Sequence, residues 1–150
     1  MTEDVSAFAS AAQVNLIKLA VGIESPAHLA RVQARRLAAA EGGGRLFHVT
    51  RNTPRRVAEL LNGGSIYWVI KGRIRVRQRL LGIETENDRE GRRRCRLVLD
   101  PRLVAVAAWS CRAFQGWRYL APEGTPPDAE AADSELPDAL ADELRELGLL

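Results

Sequence analysis

Two adjoining segments at the centre of the chain have residue patterns typical of a β-sheet. Residues 65–71 are almost continuously apolar and aromatic, as in a strand that is covered on both faces. After Gly72, where we predict a turn or a bulge, residues 73–84 alternate between two kinds of side chain. Because successive side chains of a strand point to opposite faces, the alternation predicts two rows. One row comprises Ile74, Val76, Gln78 and Leu80, and the opposite row comprises Arg73, Arg75, Arg77 and Arg79.

Strands and helices alternate before this region. Branched apolar residues predict the strands, and a Ser or Thr followed by a proline predicts the start of each helix. The predicted elements are strands at residues 14–21 and 45–51 and helices at residues 26–41 and 55–61, the helices following Ser25-Pro26 and Thr53-Pro54.

More strands follow the central region. We predict a polar hairpin loop at residues 85–91, a returning strand at residues 92–100 that Pro101 ends, and a further strand at residues 103–109. Helices grouped before a run of strands predict an α+β fold. We expect a mixed or barrel-like β-sheet with two helices in the N-terminal half.

The length and composition are those of one globular domain. The chain has 150 residues, of which 46% are hydrophobic and 27% charged, which is enough to bury a core. We assign residues 14–120 to a single domain. Residues 121–150 are rich in proline, alanine and acidic residues and predict a linker followed by a short amphipathic helix that begins at Pro137. No apolar run reaches the ~20 residues of a membrane span, and the acidic N-terminus does not resemble a signal peptide, so we expect a cytoplasmic protein.

The cysteines and the known catalytic motifs offer little chemistry. Cys95 and Cys111 are too few for a disulfide framework or a zinc ribbon. Arg94 and Arg96 flank Cys95 and would lower the pKa of an exposed thiol, but a strand cysteine is more often buried and inert. No HExxH, CxxC or GxSxG motif is present. We therefore expect no metal and no cofactor, and a binding protein rather than an enzyme.

Charge is distributed unevenly along the chain. Residues 45–120 hold 17 basic and 6 acidic residues, a net charge of +11, whereas residues 121–150 hold 1 basic and 9 acidic residues, a net charge of −8. Such a basic block predicts a polyanionic partner, or an acidic tail that screens it. Twenty of the 22 basic residues are arginine, whose planar fork suits phosphate, although the codon usage of a GC-rich genome also favours arginine over lysine.

A second row of arginines, at Arg92, Arg94 and Arg96, lies on the returning strand. A symmetric hairpin would place residue 81 opposite residue 96, so that both rows share one face; a slip of one residue would separate them. One interpretation is a nucleic-acid-binding surface that follows the phosphates of RNA or another single strand. The alternatives are the solvated face of an amphipathic sheet, or a protein-interaction face that contacts the acidic tail or a protein partner, since like charges on neighbouring strands repel each other.

Several aromatic and polar side chains are candidates for the walls of a pocket. They are His48, Arg51, Tyr67, Lys71, Trp117, Arg118 and Tyr119. In a nucleic-acid-binding protein the rings of Tyr67, Trp117 or Tyr119 would stack on bases. We expect Trp68, by contrast, to fill the core. Alternatively, His48, Arg51 and Lys71 surround an anionic small molecule in a small enzyme or binding protein. Three roles stay open for His48: a hydrogen-bond donor in a pocket, an acid–base group, or a core residue with satisfied hydrogen bonds.

Six segments carry a resemblance to a known family. They are NLIKL with VG at residues 15–22, HVTR at 48–51, GGSIYWVIKG at 63–72, RQR at 77–79, LVLDP at 97–101 and FQGWRYL at 114–120. They resemble a family catalogued as domain of unknown function 1489, found in alphaproteobacteria. The resemblance covers about residues 14–120 without the acidic tail, and implies no established activity. The order of elements is also similar to that of the PUA-like superfamily, including EVE and ASCH domains, whose small mixed barrels often bind RNA or modified bases.

Overall fold

A computed structural model describes residues 12–39 and 44–129 of the chain. Its elements are β1 (Asn15–Leu19), α1 (Pro26–Ala39), β2 (Leu46–Thr50), α2 (Val57–Leu60), β3 (Ser65–Ile70), β4 (Arg73–Asn87), β5 (Arg93–Ser110), β6 (Trp117–Leu120) and a 3₁₀ turn at Pro122–Gly124. The six strands form one sheet in the order β2-β5-β4-β3-β1-β6. Strands β1 and β3 are parallel and all other neighbours are antiparallel, which confirms the predicted α+β fold with a mixed sheet.

Parts of the sequence prediction lie outside the described residues. These are the short tail helix predicted from Pro137 and the predicted end of the first helix at residue 41. Within residues 12–39 and 44–129, no helix is long and apolar enough to cross a bilayer.

Both faces of the sheet are packed. The face that we call the helix face packs against α1 and α2 and carries Leu16, Ile66, Trp68, Val76 and Leu97. The opposite face, the strap face, carries Ile17, Tyr67, Val69, Ile74 and Val106. Residues 121–129, the strap, cross this second face and bond to β5, where Ala107 N donates to Pro127 O at 2.9 Å and Ala129 N donates to Ala105 O at 2.9 Å. Every residue of β3 is buried, as its apolar composition predicts.

The first predicted helix cap is confirmed, but the second is wrong. Ser25 Oγ accepts a hydrogen bond from His28 N at 3.1 Å at the start of α1. By contrast, α2 begins only after Arg56 and has no side-chain cap. The reason lies on β6, because the Tyr119 hydroxyl accepts the backbone N–H groups of Arg55 and Arg56 at 2.8 and 3.1 Å. These two residues are thereby held outside the helix.

Pro101 does not end the returning strand, contrary to prediction. Between the pairs Leu80–Leu99 and Gln78–Leu103, one residue of β4 lies opposite three residues of β5. Proline has no N–H to give to a ladder, so a bulge of this kind accommodates it without losing a strand bond. The Gln78 amide donates to the carbonyl of Asp100 at 2.9 Å, and β5 continues to Ser110.

A second bulge breaks the predicted alternation of β4. Trp68 pairs with Val76, but Val69 pairs with Ile74, so the bulge includes Arg75. Ile74 therefore packs in the strap-face core and Val76 in the helix-face core, although one row was predicted to hold both. Because Arg73 pairs with Ile70 of the helix-face core, it lies on the face opposite to Arg77.

The hairpin between β4 and β5 also differs from the prediction. Strand β4 runs to Asn87, so the first three residues of the loop predicted at residues 85–91 belong to the strand. Glu84, and not residue 81, lies opposite Arg96. The side chain of Asp88 closes the shorter loop, since its Oδ1 accepts the N–H groups of Glu90 and Arg92 at 2.9 and 2.8 Å.

A close backbone approach at Gly64 gives a prediction about the fold. A Cβ atom at this position would lie 2.3 Å from Val14 O and 2.4 Å from Leu60 O. Because backbone atoms of both β1 and α2 would have to move, we expect Gly64→Ala to lower the free energy of unfolding by about 2–3 kcal/mol. Gly82→Ala is the matched control, since its Cβ would meet only the Val98 side chain at 3.5 Å. Urea denaturation of both variants checks this, and equal midpoints would contradict it.

Candidate functional site

A cavity of about 110 Å³ lies between α1 and the helix face of the sheet. Its polar lining consists of Lys18, Gln33, Arg36 and His48. The remaining lining residues are apolar or aromatic, and no acidic residue is among them. We call this space the α1 cavity.

Strand register and helix periodicity direct the polar side chains into the α1 cavity. Lys18 of β1 pairs with Trp68 of β3, and paired residues project to the same face. His48 of β2 pairs in the same way with Leu97 of the helix-face core. Gln33 and Arg36 are three residues apart on α1 and therefore lie on one side of the helix.

The cations at the α1 cavity have no acidic partner among the residues that the structure describes. Burial lowers the pKa of Lys18. Within the described residues, neither Lys18 nor Arg36 forms an ion pair with a carboxylate. Two cations therefore line the cavity, and no acidic side chain of the described residues lines it with them.

His48 is neutral at pH 7 in this environment. Burial lowers its pKa to about 4, and the nearby charges of Lys18 and Arg36 act in the same direction. Its Nε2 atom is buried without a hydrogen-bond partner among the described residues. The ring meets Trp68 edge to face, with the ring centroids 5.0 Å apart. Of the three interpretations of His48, a pocket donor and an acid–base group fit a ring atom that has no partner among the described residues, and a satisfied core residue does not.

A buried polar network holds the floor of the α1 cavity. Gln33 Nε2 donates to Gln78 Oε1 at 3.0 Å, and Gln78 Nε2 donates back to Gln33 Oε1 at 2.7 Å. Gln78 Oε1 also accepts the indole N–H of Trp68 at 3.0 Å. These bonds attach α1 to the sheet and fix the Trp68 ring, so the cavity is formed before any ligand binds.

Most of the residues predicted to line a pocket lie elsewhere. Tyr67 is on the strap face, where burial raises the pKa of its hydroxyl despite a hydrogen bond with Thr125. Lys71 is at the turn between β3 and β4, with Nζ 2.6 Å from Glu24 Oε1. Neither residue lines the α1 cavity, because β3 alternates and the turn lies beyond its end.

The predicted pocket residues of β6 support a neighbouring loop. Trp117 Nε1 donates to the carbonyl of Asn52 at 3.0 Å, and the Tyr119 hydroxyl binds the two N–H groups that precede α2. The Arg118 guanidinium lies over the Phe114 ring, 4.6 Å from its centroid. Of the seven predicted pocket residues, His48 is the one that lines the α1 cavity.

Ion pairs divide the predicted arginine surface. Arg77 binds Asp128 of the strap through two hydrogen bonds of 2.7 and 2.8 Å. On β5, Arg96 Nε lies 2.9 Å and Arg94 3.7 Å from the Glu86 carboxylate. The register places Arg77, Arg79, Arg94 and Arg96 on the strap face together with these acids. The strap face therefore carries both arginines and carboxylates and is not a continuous row of cations.

Paired and unpaired arginines gather at the tip of the β4–β5 hairpin. Arg51, Arg92, Arg93 and Arg94 line a concavity of about 500 Å³, in which Asp88 is the acidic residue. Arg92 is paired with Asp88 and Glu90. Arg51 and Arg93 have no carboxylate partner within the described part of the chain. We call this second space the hairpin-tip concavity.

Of the two interpretations of Cys95, an activated thiol and a buried core residue, its surroundings fit the core residue. It is fully buried in the helix-face core, opposite to Arg94 and Arg96, and burial raises the pKa of its thiol. Hydrogen bonds with Thr50 and Thr53 oppose that shift only in part.

Three polar residues that line the α1 cavity were not predicted from the sequence to be site residues: Lys18, Gln33 and Arg36. A signal existed for Lys18, because it is a single cation within the apolar strand NLIKL. Gln33 and Arg36 lie on a helix with many polar residues, where nothing local distinguishes a cavity-facing side chain from a solvated one.

Comparison with known proteins defines the family of the chain. No curated protein and no solved structure matches it, and the likeness to PUA-like domains stays a prediction. Residues 16–150 match the family described as "Protein of unknown function (DUF1489)". The match includes the acidic segment after residue 120, whereas the resemblance described from the sequence covered only about residues 14–120. With nine-tenths of its length matched, the chain belongs to the DUF1489 family.

Proposed function

We propose that this protein binds a small anionic molecule in the α1 cavity. The observation that carries the proposal is the pair of cations, Lys18 and Arg36, at a cavity whose lining, within residues 12–39 and 44–129, contains no acid. A half-buried ammonium without a counter-ion loses hydration and gains no ion pair in return. A bound anion would supply that ion pair, and its charge would be attracted by both cations in a partly dehydrated space.

Neutral His48 fits this role as a polar contact without charge. A neutral imidazole can donate one hydrogen bond and accept another, so it can meet either a protonated or an unprotonated ligand atom. The cavity is also rigid, because the Gln33–Gln78 amide pair joins its helix to its sheet. A preformed site loses less conformational entropy on binding. These features support a binding protein and require no step of chemistry.

Replacing Lys18 by Met tests the proposed role of the cations. The variant keeps the apolar stem and removes the unpaired charge, so we expect the ligand-free protein to gain about 2–4 °C in Tm. In a thermal-shift assay we expect millimolar benzoate or phosphate to stabilise the wild type but not this variant. Arg35→Gln is the control, since Arg35 is exposed on α1 and does not line the cavity. A Lys18→Met protein that is less stable and still responds to the anions would contradict the proposal.

The pH dependence of stability tests the environment of His48. Its pKa is about 6.5 in the unfolded chain and about 4 in the fold. Between these values the unfolded state binds more protons, so the stability that is complete above pH 6.5 is lost as the pH falls towards 4. The loss amounts to roughly 3 kcal/mol.

Urea titrations of the wild type and of His48→Gln between pH 4 and 7.5 isolate this contribution. The carboxylates that also titrate in this range are common to both proteins. We expect the difference in unfolding free energy between the two to change by roughly 3 kcal/mol across the range, in favour of the wild type at high pH. A difference that is independent of pH would show that His48 does not titrate in this way.

A second candidate function is the binding of RNA or another single strand. The observation that favours it is the hairpin-tip concavity, where Arg51, Arg92, Arg93 and Arg94 gather. Arginine side chains bind phosphates by forked hydrogen bonds, and the net charge of +11 over residues 45–120 would attract a polyanion over a longer range. Because Arg77 and Arg96 on the sheet face are ion-paired, whereas Arg51 and Arg93 have no carboxylate partner among the described residues, we place this candidate surface at the hairpin tip.

Charge reversal at the hairpin tip tests the second candidate. We expect Arg51→Glu combined with Arg93→Glu to weaken the binding of single-stranded RNA and to lower the slope of log K against log salt by about 1 or more. Arg112→Glu is the control, because this exposed arginine follows β5 and does not line the concavity. Fluorescence anisotropy over a salt series measures both quantities. Equal affinities and slopes for the reversed and control variants would remove this surface from consideration.

A further inference from the structure

The α1 cavity has an apolar floor and a cationic rim. Leu29, Trp68 and Leu99 line it and are 5%, 3% and 2% exposed. Arg36 is exposed and Lys18 is half-buried, so both cations are more exposed than these three apolar side chains, and we call them the rim. An occupant that satisfies both regions is amphipathic, with an apolar body inside and an anionic group at the rim.

The volume of the cavity limits the size of that body. An apolar cavity of roughly 150 Å³ is large enough for a benzene ring. The α1 cavity, at about 110 Å³, is somewhat smaller and is open on one side. It accommodates an apolar group of about four to six carbon atoms, and excludes a nucleoside.

Apart from His48 Nε2, the polar groups of the floor have few free hydrogen bonds for a ligand. The amides of Gln33 and Gln78 bind each other, and the indole N–H of Trp68 is taken up by Gln78. Nine of the thirteen lining residues are apolar or aromatic. A hydroxylated body such as a sugar would lose its hydrogen bonds with water here and regain few, so the floor favours a hydrocarbon body.

The rim favours a carboxylate as the anionic group. The Arg36 guanidinium can bind the two oxygens of a carboxylate side by side, and the Lys18 ammonium adds a point charge. Inorganic phosphate would satisfy the cations but would leave the apolar floor in contact with water. A single anionic group on a hydrocarbon body matches both parts of the cavity.

We infer that the ligand is a monocarboxylate with a compact, unhydroxylated hydrocarbon body of about four to six carbon atoms, held with its body on Trp68 and its carboxylate between Lys18 and Arg36. This inference rests on the proposed function and narrows it to one class of ligand. Short branched-chain acids and small cyclic or aromatic acids belong to this class.

Isothermal titration calorimetry on the full chain tests the inference with defined probes. The probes are 3-methylbutanoate, benzoate, lactate, inorganic phosphate and adenosine monophosphate. We expect at least one of the two hydrocarbon acids to bind at least about tenfold more tightly than each of the other three. We also expect Lys18→Met to abolish that binding and Arg35→Gln to leave it unchanged.

A second variant checks that the body enters the cavity. Val32→Phe adds volume from the α1 side of the lining, and we expect it to abolish the binding of both acids while the protein stays folded by circular dichroism. Lactate, phosphate or adenosine monophosphate could instead bind more tightly than both hydrocarbon acids and lose this binding in Lys18→Met. That result would overturn the ligand class and leave the proposed function standing. If no probe binds in a manner that depends on Lys18, both the ligand class and the proposed function are overturned.

Discussion

The amide pair between Gln33 and Gln78 is the contact on which the arrangement of this fold depends. Gln78 is fully buried in the middle of an apolar core, where an unpaired amide would be strongly destabilising. Its bonds connect three parts of the molecule: helix α1 through Gln33, strand β3 through Trp68, and the bulge of β5 through the carbonyl of Asp100. A polar network that is satisfied in this way fixes one relative position of helix and sheet, and the α1 cavity is the space left between them.

Beside this network, the cations of the cavity are unfavourable for the stability of the fold. A leucine-filled interface would be more stable than one that holds Lys18 without a counter-ion, because burial disfavours the charged ammonium. Proteins keep such unfavourable groups mainly at functional sites, where a ligand supplies the missing interaction. Arginines on the strap face differ, since Arg77 and Arg96 are matched with nearby carboxylates.

Local sequence patterns predicted much of the fold but little of the site. The Ser25 cap, the buried strand at residues 65–70 and the turn at Gly72 depend on short-range chemistry, and all three are present. The bulges at Arg75 and Pro101 were not predictable in this way, because each is set by the partner strand and its packing. The cavity combines side chains from β1, β2, β3 and α1, so only the tertiary structure brings Lys18 and Arg36 to the His48 that the sequence indicated.

The location of a bound acid is the most direct test of this account. The chain has three tryptophans, and one of them, Trp68, lines the α1 cavity. In ¹H–¹⁵N correlation spectra titrated with benzoate, we predict saturable shifts of the Trp68 indole resonance and of the backbone amide of His48, with the indole resonances of Trp109 and Trp117 unchanged. Shifts confined to Trp109 or Trp117, or none at saturating benzoate, would contradict the assignment of the α1 cavity as the binding site.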